Sequence, residues 1–575
     1  MPKNRSIRFA LPILLSLYAI SISQARAEEQ GLSSSDIDRM VQSIWKSKGI
    51  GPVGPASDSE YLRRVYFDLT GLPPSLDETE SFLQSTDPDK RSKLVSKLLS
   101  DPAYGAHRAD VLMGEIIEGR ILNRRLPEES FRKYFESSFN QDKPYDQMVR
   151  ELISASGDSA ENGATYLVVT HQANPEDMTG TVTRLFNGTQ YRCFQCHDDK
   201  FGDWKQTDFW GTAAFFARTD IRPNERMENR LVSVLIQDRK NGEGVIPEGG
   251  VTPALNGLSK EERKKTRRQM LMEERKNPVA PSFLGEPVRV GKNENRREVL
   301  AKLMTSPENE LFARSAANRV WADMFGKGLI EPVDDIYDKD AGEWEPLLDS
   351  LAKELVRSGH SLKTLYRLIA NTQTYQLTSE SDEDSEDLAS VFARSRMRAH
   401  APEVLLDSIL MTTQGEEAFQ KRQQKMDSKG PRDRILEKFT FAFGNDEGSR
   451  VLSFEATIPQ ALMMMNDPII ERALKPTPDS SLGRVVRETA NPRERVRLVY
   501  LSALSREPLE GEMNDALAYL REVEGGRQAP LLVADSGDRS DRRSKKRFQR
   551  MNKQMEPYQD LLWALMNTSE FLYNH

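Results

Sequence analysis

The chain has 575 residues, of which 38% are hydrophobic and 29% are charged, and its formal net charge is −7 at pH 7. This composition excludes collagen-like, low-complexity and polytopic membrane proteins, and the length favours more than one domain. The acidic excess argues against a nucleic-acid binder, because the neutralisation of phosphates needs a surplus of Lys and Arg.

The first 27 residues have the pattern of a secretory signal peptide. Three basic residues precede an apolar stretch over residues 9–22, and Ala25-Arg26-Ala27 follows as an A-x-A cleavage site. We expect residues 1–27 to be removed and the mature protein to be periplasmic or otherwise exported. No later stretch is long and apolar enough to span a bilayer, so the sequence does not predict an integral membrane protein.

Residues 28–220 are predicted to form a domain of short helices joined by turns that contain proline. Within residues 36–50 the apolar side chains recur at helical spacing. A second helix is predicted over residues 59–69, where the turn Thr70-Gly71-Leu72-Pro73-Pro74 ends it. The pattern predicts further short helices up to about residue 220.

Residues 221–295 have a different composition, with a Gly-Gly pair, several prolines and a charged run over residues 259–276. We interpret them as an irregular charged connector with one solvated helix. Helical patterning resumes at Arg296 and predicts a second helical domain over residues 296–575. The predicted fold class is therefore mainly α, with two helical domains joined by the connector.

The only two cysteines of the chain lie in the pentapeptide Cys193-Phe194-Gln195-Cys196-His197. The spacing C-x-x-C-H is the attachment signal for c-type haem, because two thiols on one turn meet the two vinyl groups of the porphyrin and the histidine reaches the iron. Cys193, Cys196 and His197 are the predicted cofactor-binding residues, and His197 is the predicted metal ligand. Export agrees with this interpretation, since haem is attached outside the cytoplasm.

Other chemistries fit the same residues. A local Cys193–Cys196 disulfide or redox pair needs no cofactor. Zinc could bind Cys193, Cys196 and His197 with a carboxylate from Asp198 or Asp199. If haem is present, the sixth iron ligand stays open among five residues: His171, Met178, Met227, Met270 and Met272.

Aromatic and charged residues near the motif have two interpretations each. Four aromatic residues that follow the cysteines could line a porphyrin, although a role in the core is favoured: Phe209, Trp210, Phe215 and Phe216. Arg63, Arg64 and Asp68 could hold haem propionates, although a buried ion network is favoured.

The second half offers carboxylates but no recognised catalytic motif. Glu331, Asp334 and Asp335 could do acid–base work in glycoside cleavage, yet a solvated loop is favoured. His360 and His400 stand alone and are predicted to be surface or capping residues. No G-x-S-x-G elbow, P-loop or Rossmann fingerprint is present in the sequence, so hydrolase and nucleotide-dependent activities have no positive indication.

Long motifs carry a resemblance to a known family. Residues 62–74 read LRRVYFDLTGLPP, residues 98–105 read LLSDPAYG and residues 192–198 read RCFQCHD. With these motifs, residues 35–220 resemble the planctomycete cytochrome-c-like (PSCyt-type) domain of exported bacterial proteins. Residues 283–575 are similar to its usual C-terminal companion, a planctomycete (PSD-type) domain of unknown function.

The resemblance implies an exported c-type cytochrome-like protein with haem c, active in electron transfer and linked to polysaccharide breakdown. The implied partners are a redox protein or an exported sulfatase-like enzyme. No reaction is established for the family, so enzymatic activity is left open, with an oxidoreductase component as the expectation. Many relatives have Cys-His-Asp-His where this chain ends the motif with Asp199. The alternative is a haem-free binding or scaffold protein that has a Cys193–Cys196 disulfide or a metal site and assists exported enzymes.

Overall fold

The computed structural model describes residues 31–117, 129–247 except 201, 228 and 229, isolated positions between 259 and 272, 278–380 except 292, 386–415, 477, 480–526 and 554–575. The predicted signal peptide over residues 1–27 lies outside the described residues. Most of the described chain is helical, which confirms the mainly α fold class.

Short sequence signals set the ends of the first helices. Helix α1 (Ser34–Lys48) starts in a capping box, in which the Ser33 hydroxyl accepts from the Asp36 amide and the Asp36 carboxylate accepts from the Ser33 amide. Helix α2 (Asp58–Thr70) ends at Gly71, whose φ of 67° suits glycine. The helices that follow are α3 Leu76–Gln84, α4 Lys90–Ser100, α5 Pro102–Ile117, α6 Glu129–Asn140 and α7 Tyr145–Ser154.

Helices α8 (Tyr166–Thr170) and α9 (Pro175–Asn187) precede the cysteine motif, and helix α10 (Gln206–Ala213) follows it. The Asn174 side chain caps the start of α9, and Gly188, with a φ of 57°, ends the helix. The cysteine motif therefore lies in the connection between two short helices.

The region predicted as an irregular connector begins with regular β-structure. Strand β2 (Thr219–Met227) pairs antiparallel with β3 (Arg230–Asp238), and β1 (Gly157–Asp158) pairs with the other edge of β3. Val234 and Ile236 on β3 are buried in the main core. The prediction of an irregular segment was wrong here, because residues 231–236 read LVSVLI, an apolar run interrupted by one serine in which three residues are β-branched, and such a run favours a strand.

The remainder of the connector contains two short sheets. Strands β4 (Gly244–Val245) and β5 (Pro278–Val279) form one, and β6 (Ser282–Phe283) and β7 (Glu286–Pro287) form the other. The described positions between 261 and 272 are helical and mostly exposed, as the sequence predicts for a solvated helix.

Helices resume at the predicted position, with α11 (Arg296–Met304) capped by the Asn295 side chain. The later helices are α12 Glu310–Phe325, α13 Glu345–Arg357, α14 Leu362–Ala370, α15 Glu386–Ser390, α16 Pro402–Gln414, α17 Ser481–Glu488, α18 Pro492–Leu504, α19 Glu510–Gly526, α20 over residues 554–566 and α21 Ser569–Leu572. Strands β8 (Arg398–Ala399) and β9 (Tyr573–Asn574) pair antiparallel.

Two large hydrophobic cores hold the helices together. The first contains buried residues from Ile37 to Ala393 and so includes helices on both sides of the connector. The second contains Leu76 and buried residues from Leu405 to Phe571. The change from one core to the other thus falls near residue 400. Within the described chain, no helix is long and apolar enough to cross a membrane.

A buried polar network joins α2 to the second half of the chain. The Asp68 carboxylate accepts from the Tyr375 hydroxyl at 2.7 Å, from an Arg398 guanidinium nitrogen at 2.7 Å and from Asn574 Nδ2 at 2.6 Å. Burial raises the pKa of Asp68, although the charge of Arg398 opposes that shift. The network connects residues that are more than 300 positions apart in sequence.

Two arginines of α2 extend this network to backbone carbonyls. Arg63 donates to the carbonyl oxygens of Ala503 and Phe571. Arg64 donates to those of Tyr375 and Leu377 and pairs with Glu60 at 2.7 Å. Arg63, Arg64 and Asp68 are all buried, as the favoured interpretation expects, but they do not pair with one another: Asp68 pairs with Arg398, Arg64 pairs with Glu60, and Arg63 bonds to backbone carbonyls.

Candidate functional site

The cysteine motif occupies an exposed turn. Residues Tyr191–Gln195 form a single 3-10 turn, in which Tyr191 is buried at its start. Cys193 and Cys196 are exposed free thiols. The structure therefore brings both thiols to the surface on one short stretch of backbone.

Hydrogen bonds fix this turn to the helices on either side. The Gln195 carbonyl accepts from Trp210 Nε1 at 3.1 Å and from Gln206 Nε2 at 3.0 Å, both on α10. The Gln195 side chain donates to Glu176 on α9 at 3.4 Å, and Arg192 pairs with an α9 carboxylate at 2.8 Å. Arg192 and Gln195 thus connect the turn that carries both thiols to α9 and α10.

The His197 side chain has a defined orientation. It is exposed, and its Nδ1 lies 2.7 Å from the carbonyl oxygen of Asp198. A carbonyl oxygen only accepts hydrogen bonds, so Nδ1 carries the proton and Nε2 of the neutral ring keeps its lone pair. Histidines that bind metals commonly donate their second ring N–H to a carbonyl or carboxylate in this way. In this tautomer Nε2 is the ring nitrogen that keeps a free lone pair.

An aromatic cluster lies beneath the turn. Tyr191, Trp204, Phe209 and Trp210 are buried in a small core of their own. The Trp204 ring centroid is 4.6 Å from that of Tyr191 and 6.4 Å from that of the half-buried Phe194. Of the four aromatic residues weighed as a porphyrin wall, Phe209 and Trp210 belong to this cluster, whereas a second pair, Phe215 and Phe216, lies in the main core.

A residue from the second half of the chain completes the cluster. The Tyr337 ring centroid is 4.5 Å from that of Trp204, and the amides of Ile336 and Tyr337 both donate to the carbonyl of Gly188. Sequence reasoning missed Tyr337, because nothing in its local pattern relates it to a motif about 140 residues earlier. Trp204 could have been noticed as an aromatic residue in a polar loop close to the cysteines.

The structure bears on the alternatives for the cysteines. Among the described residues, no group of three or more His, Cys, Asp or Glu side chains is placed to hold a metal ion. Asp198 instead accepts from the Gln206 amide at 2.8 Å, which orders the loop after His197. The tetrahedral zinc set thus has no preformed geometry here, and the two thiols are not joined as a disulfide.

The proposed sixth ligands lie in unlike environments. Met178 is wholly buried in the main core, and His171 Nε2 lies 3.0 Å from the Thr181 hydroxyl. Met227 on β2 is 66% exposed and Met272 is 50% exposed, while Met270 falls outside the described residues. Met178 is packed in the core, His171 has a hydrogen-bond partner, and Met227 and Met272 face solvent. The position of each described candidate is therefore explained without binding to iron.

The carboxylates near residue 331 have structural partners. A Glu331 carboxylate oxygen accepts from the Gly328 amide at 2.5 Å. Asp334 pairs with Arg184 at 2.6 Å and with Arg319 at 2.7 Å, so the prediction of a solvated loop was wrong for this residue. Asp335 pairs with Lys339 at 2.7 Å. Because all three carboxylates are engaged, they do not form the pair of available groups that glycoside hydrolysis requires.

The two isolated histidines also have structural environments. His360 is half-buried, with Nδ1 3.5 Å from an Asp146 carboxylate oxygen. The His400 ring centroid lies 4.1 Å from that of Phe67. Burial, followed by the charges of Arg63, His575 and Arg398, places the pKa of His400 well below its usual value. The prediction of a surface or capping residue was wrong for His400, because α2 packs against it.

Comparison with known families divides the chain at the connector. Residues 36–221 match PSCyt2, described as a protein of unknown function (DUF1549), and residues 296–520 match PSD1, described as a protein of unknown function (DUF1553). No curated protein and no solved structure matches the chain. The chain therefore contains a PSCyt2 (DUF1549) domain followed by a PSD1 (DUF1553) domain, in agreement with the planctomycete-type pairing of these two domains.

Proposed function

We propose that this protein is an exported c-type cytochrome-like protein that carries one haem covalently and transfers electrons. In this proposal Cys193 and Cys196 would hold the porphyrin through thioether bonds, and His197 would bind the iron. The covalently bound haem would supply a one-electron redox centre. Export rests on the signal-peptide pattern of residues 1–27.

The orientation of His197 is the observation that carries the proposal. Its Nδ1 faces the Asp198 carbonyl at 2.7 Å, so the unprotonated Nε2 is the nitrogen available to a metal. Two exposed thiols precede it at the spacing of haem attachment.

The residues around the motif fit a covalently attached group. Attachment needs thiols that are reachable, and both are exposed. The Asp198 carbonyl would keep the proton on Nδ1 and raise the basicity of Nε2 toward iron. The hydrogen bonds from Trp210 and Gln206 to the Gln195 carbonyl would fix the backbone between the two cysteines.

The partner side of the proposal rests on the resemblance alone. A redox protein would exchange electrons with the haem, whereas an exported sulfatase-like enzyme would only accompany this protein during polysaccharide breakdown. No residue of the described chain is assigned to a catalytic step, so the proposed role is that of an electron carrier.

The test is expression with export in a host that attaches c-type haem, followed by a pyridine haemochrome spectrum and a haem-stained denaturing gel. We expect covalent haem on the wild-type protein and none on a Cys193→Ala, Cys196→Ala double variant. A His197→Ala variant should alter the absorption spectrum of the native protein, recorded before pyridine replaces the iron ligands, whereas Met397→Leu at an exposed position should match the wild type. Absence of haem from the wild-type protein, while a control cytochrome is matured in the same cells, would contradict the proposal.

A thiol–disulfide pair is the second candidate, because both thiols are free, exposed and on one turn. It predicts a haem-free protein with two reactive thiols, which oxidation would convert to a reversible Cys193–Cys196 disulfide. Thiol titration before and after oxidation distinguishes this candidate from the haem protein, in which both sulfurs are blocked.

A further inference from the structure

A dense run of basic residues lies in the connector, between the two domains that match known families. Residues 263–268 read RKKTRR, so five of the six positions are basic, although the whole chain has a net charge of −7. The described positions between 261 and 272 are helical, and we call them the basic helix. Short runs of this composition are typical of sites that bind polyanions.

The described cations of the basic helix share one exposed face. Lys264, Lys265 and Arg268 are all exposed and helical. Residues three and four positions apart are neighbours on a helix surface, so the Arg268 side chain lies on the same face as both lysines. Like charges at this spacing destabilise a helix. A bound anion would remove that cost, because it would place negative charge beside all three side chains.

No carboxylate of the described chain pairs with this face. The three cations form no ion pair among the described residues. Glu262, one of the acidic residues nearest to them, is engaged at the start of the helix, where its carboxylate accepts from the Ser259 amide at 2.9 Å. Elsewhere on the surface, Arg484 pairs with two carboxylates. The positive charge of the basic helix is therefore available to a ligand.

We propose that the basic helix binds a sulfated polysaccharide outside the cytoplasm. A sulfate ester presents negatively charged oxygens in the same tetrahedral arrangement as a phosphate. Ammonium and guanidinium groups donate charge-assisted hydrogen bonds to such oxygens, and these are stronger than bonds between neutral groups. The inference rests on the export part of the proposed function, which the signal-peptide pattern of residues 1–27 supports. It does not require haem.

The composition of the run favours a polysaccharide over other anionic ligands. Residues 259–269 include no apolar residue, so this stretch has no apolar side to insert into a membrane surface. Residues 259–276 include no aromatic residue, whereas proteins that bind single-stranded nucleic acid stack bases on aromatic rings. Duplex DNA would attract the same charges, but export separates this protein from the DNA of the cell.

The test uses the full-length exported protein and heparin, a sulfated polysaccharide, as the probe, with binding measured by calorimetry at several salt concentrations. We expect the wild type to bind heparin with an affinity that falls as salt is added, because salt screens exposed charges, and not to bind neutral dextran. The Lys264→Gln, Lys265→Gln, Arg268→Gln triple variant should bind heparin about tenfold more weakly, since each exposed charge pair contributes modestly and three are removed.

The matched control removes the same charges from three separate helices. Lys46 on α1, Lys133 on α6 and Arg487 on α17 are exposed and form no ion pair among the described residues. The Lys46→Gln, Lys133→Gln, Arg487→Gln variant has the same net charge as the triple variant of the basic helix. It should bind heparin as the wild type does, because its three charges do not lie on one face.

Each outcome decides the proposal. Weaker binding by the basic-helix variant, with the control unchanged, supports it. An equal loss in both variants would reduce the effect to net charge and overturn it, as would an unchanged affinity of the basic-helix variant or no heparin binding by the wild type. Duplex DNA that binds more tightly than heparin at the same salt concentration would overturn the choice of a polysaccharide. Haem staining and N-terminal sequencing of the same preparations report on haem and on export separately, so the two proposals can fail independently.

Discussion

Replacement of Asp68 by alanine should lower the free energy of unfolding by about 3–5 kcal/mol, the cost of breaking a buried ion pair by removing one partner. Asp68 is 6% exposed and accepts three hydrogen bonds, from Tyr375, Arg398 and Asn574. In the variant the Arg398 guanidinium would stay in the protein interior, with 17% of its side chain exposed, without this carboxylate. The loss is of the same order as the whole stability of many domains.

Urea unfolding followed by circular dichroism measures this change. Asp68→Asn should cost less than Asp68→Ala, since an amide keeps the shape and can still accept one hydrogen bond. The control is Glu308→Ala at an exposed turn position, which should change the free energy of unfolding by less than about 0.5 kcal/mol. A loss below about 1 kcal/mol for Asp68→Ala would refute the network as a major link between α2 and the second half.

Three further predictions concern stability. His107 and His400 have pKa values well below the usual 6.5, chiefly because their surroundings in the protein disfavour the charged ring. Below pH 6.5 the unfolded chain therefore binds more protons than the folded chain, so the free energy of unfolding decreases as the pH is lowered. His400→Phe should make this decrease smaller in urea titrations across this range. Trp321 is fully buried, and its ring centroid lies 4.3 Å from that of Phe325, on which it stacks. Trp321→Ala should lower the free energy of unfolding by about 3–5 kcal/mol, measured as a lower urea midpoint. Gly71→Ala should lower the melting temperature, because φ is 67° and the new Cβ would lie 2.5 Å from His107 Nδ1, and unchanged melting would refute the steric argument.

Local signals in the sequence predict the helical parts of the fold well. Serine and asparagine caps start α1, α2 and α11, and glycine ends α1 and α2, so their bounds can be read without tertiary information. The β2–β3 ribbon was missed because a charged, proline-containing β2 carries a weak strand signal and the apolar run of β3 was read as part of the connector.

Local sequence patterns could not predict how the two halves of the chain pack against each other. The main core combines helices on both sides of the connector, and no periodicity within one helix specifies which distant helix covers it. The candidate site likewise has a part that is local in sequence and a part that comes from a distant segment. The spacing of Cys193, Cys196 and His197 is local and was found, whereas Tyr337 reaches the motif through the hydrogen bonds of residues 336–337 to Gly188 and through its ring contact with Trp204.

The intact mass of the mature exported protein tests the central claim most directly. The proposal predicts the mass of the processed chain plus one haem, with the added mass on the peptide that contains Cys193 and Cys196. The mass of the unmodified chain, from cells that attach haem to a control cytochrome, would contradict it.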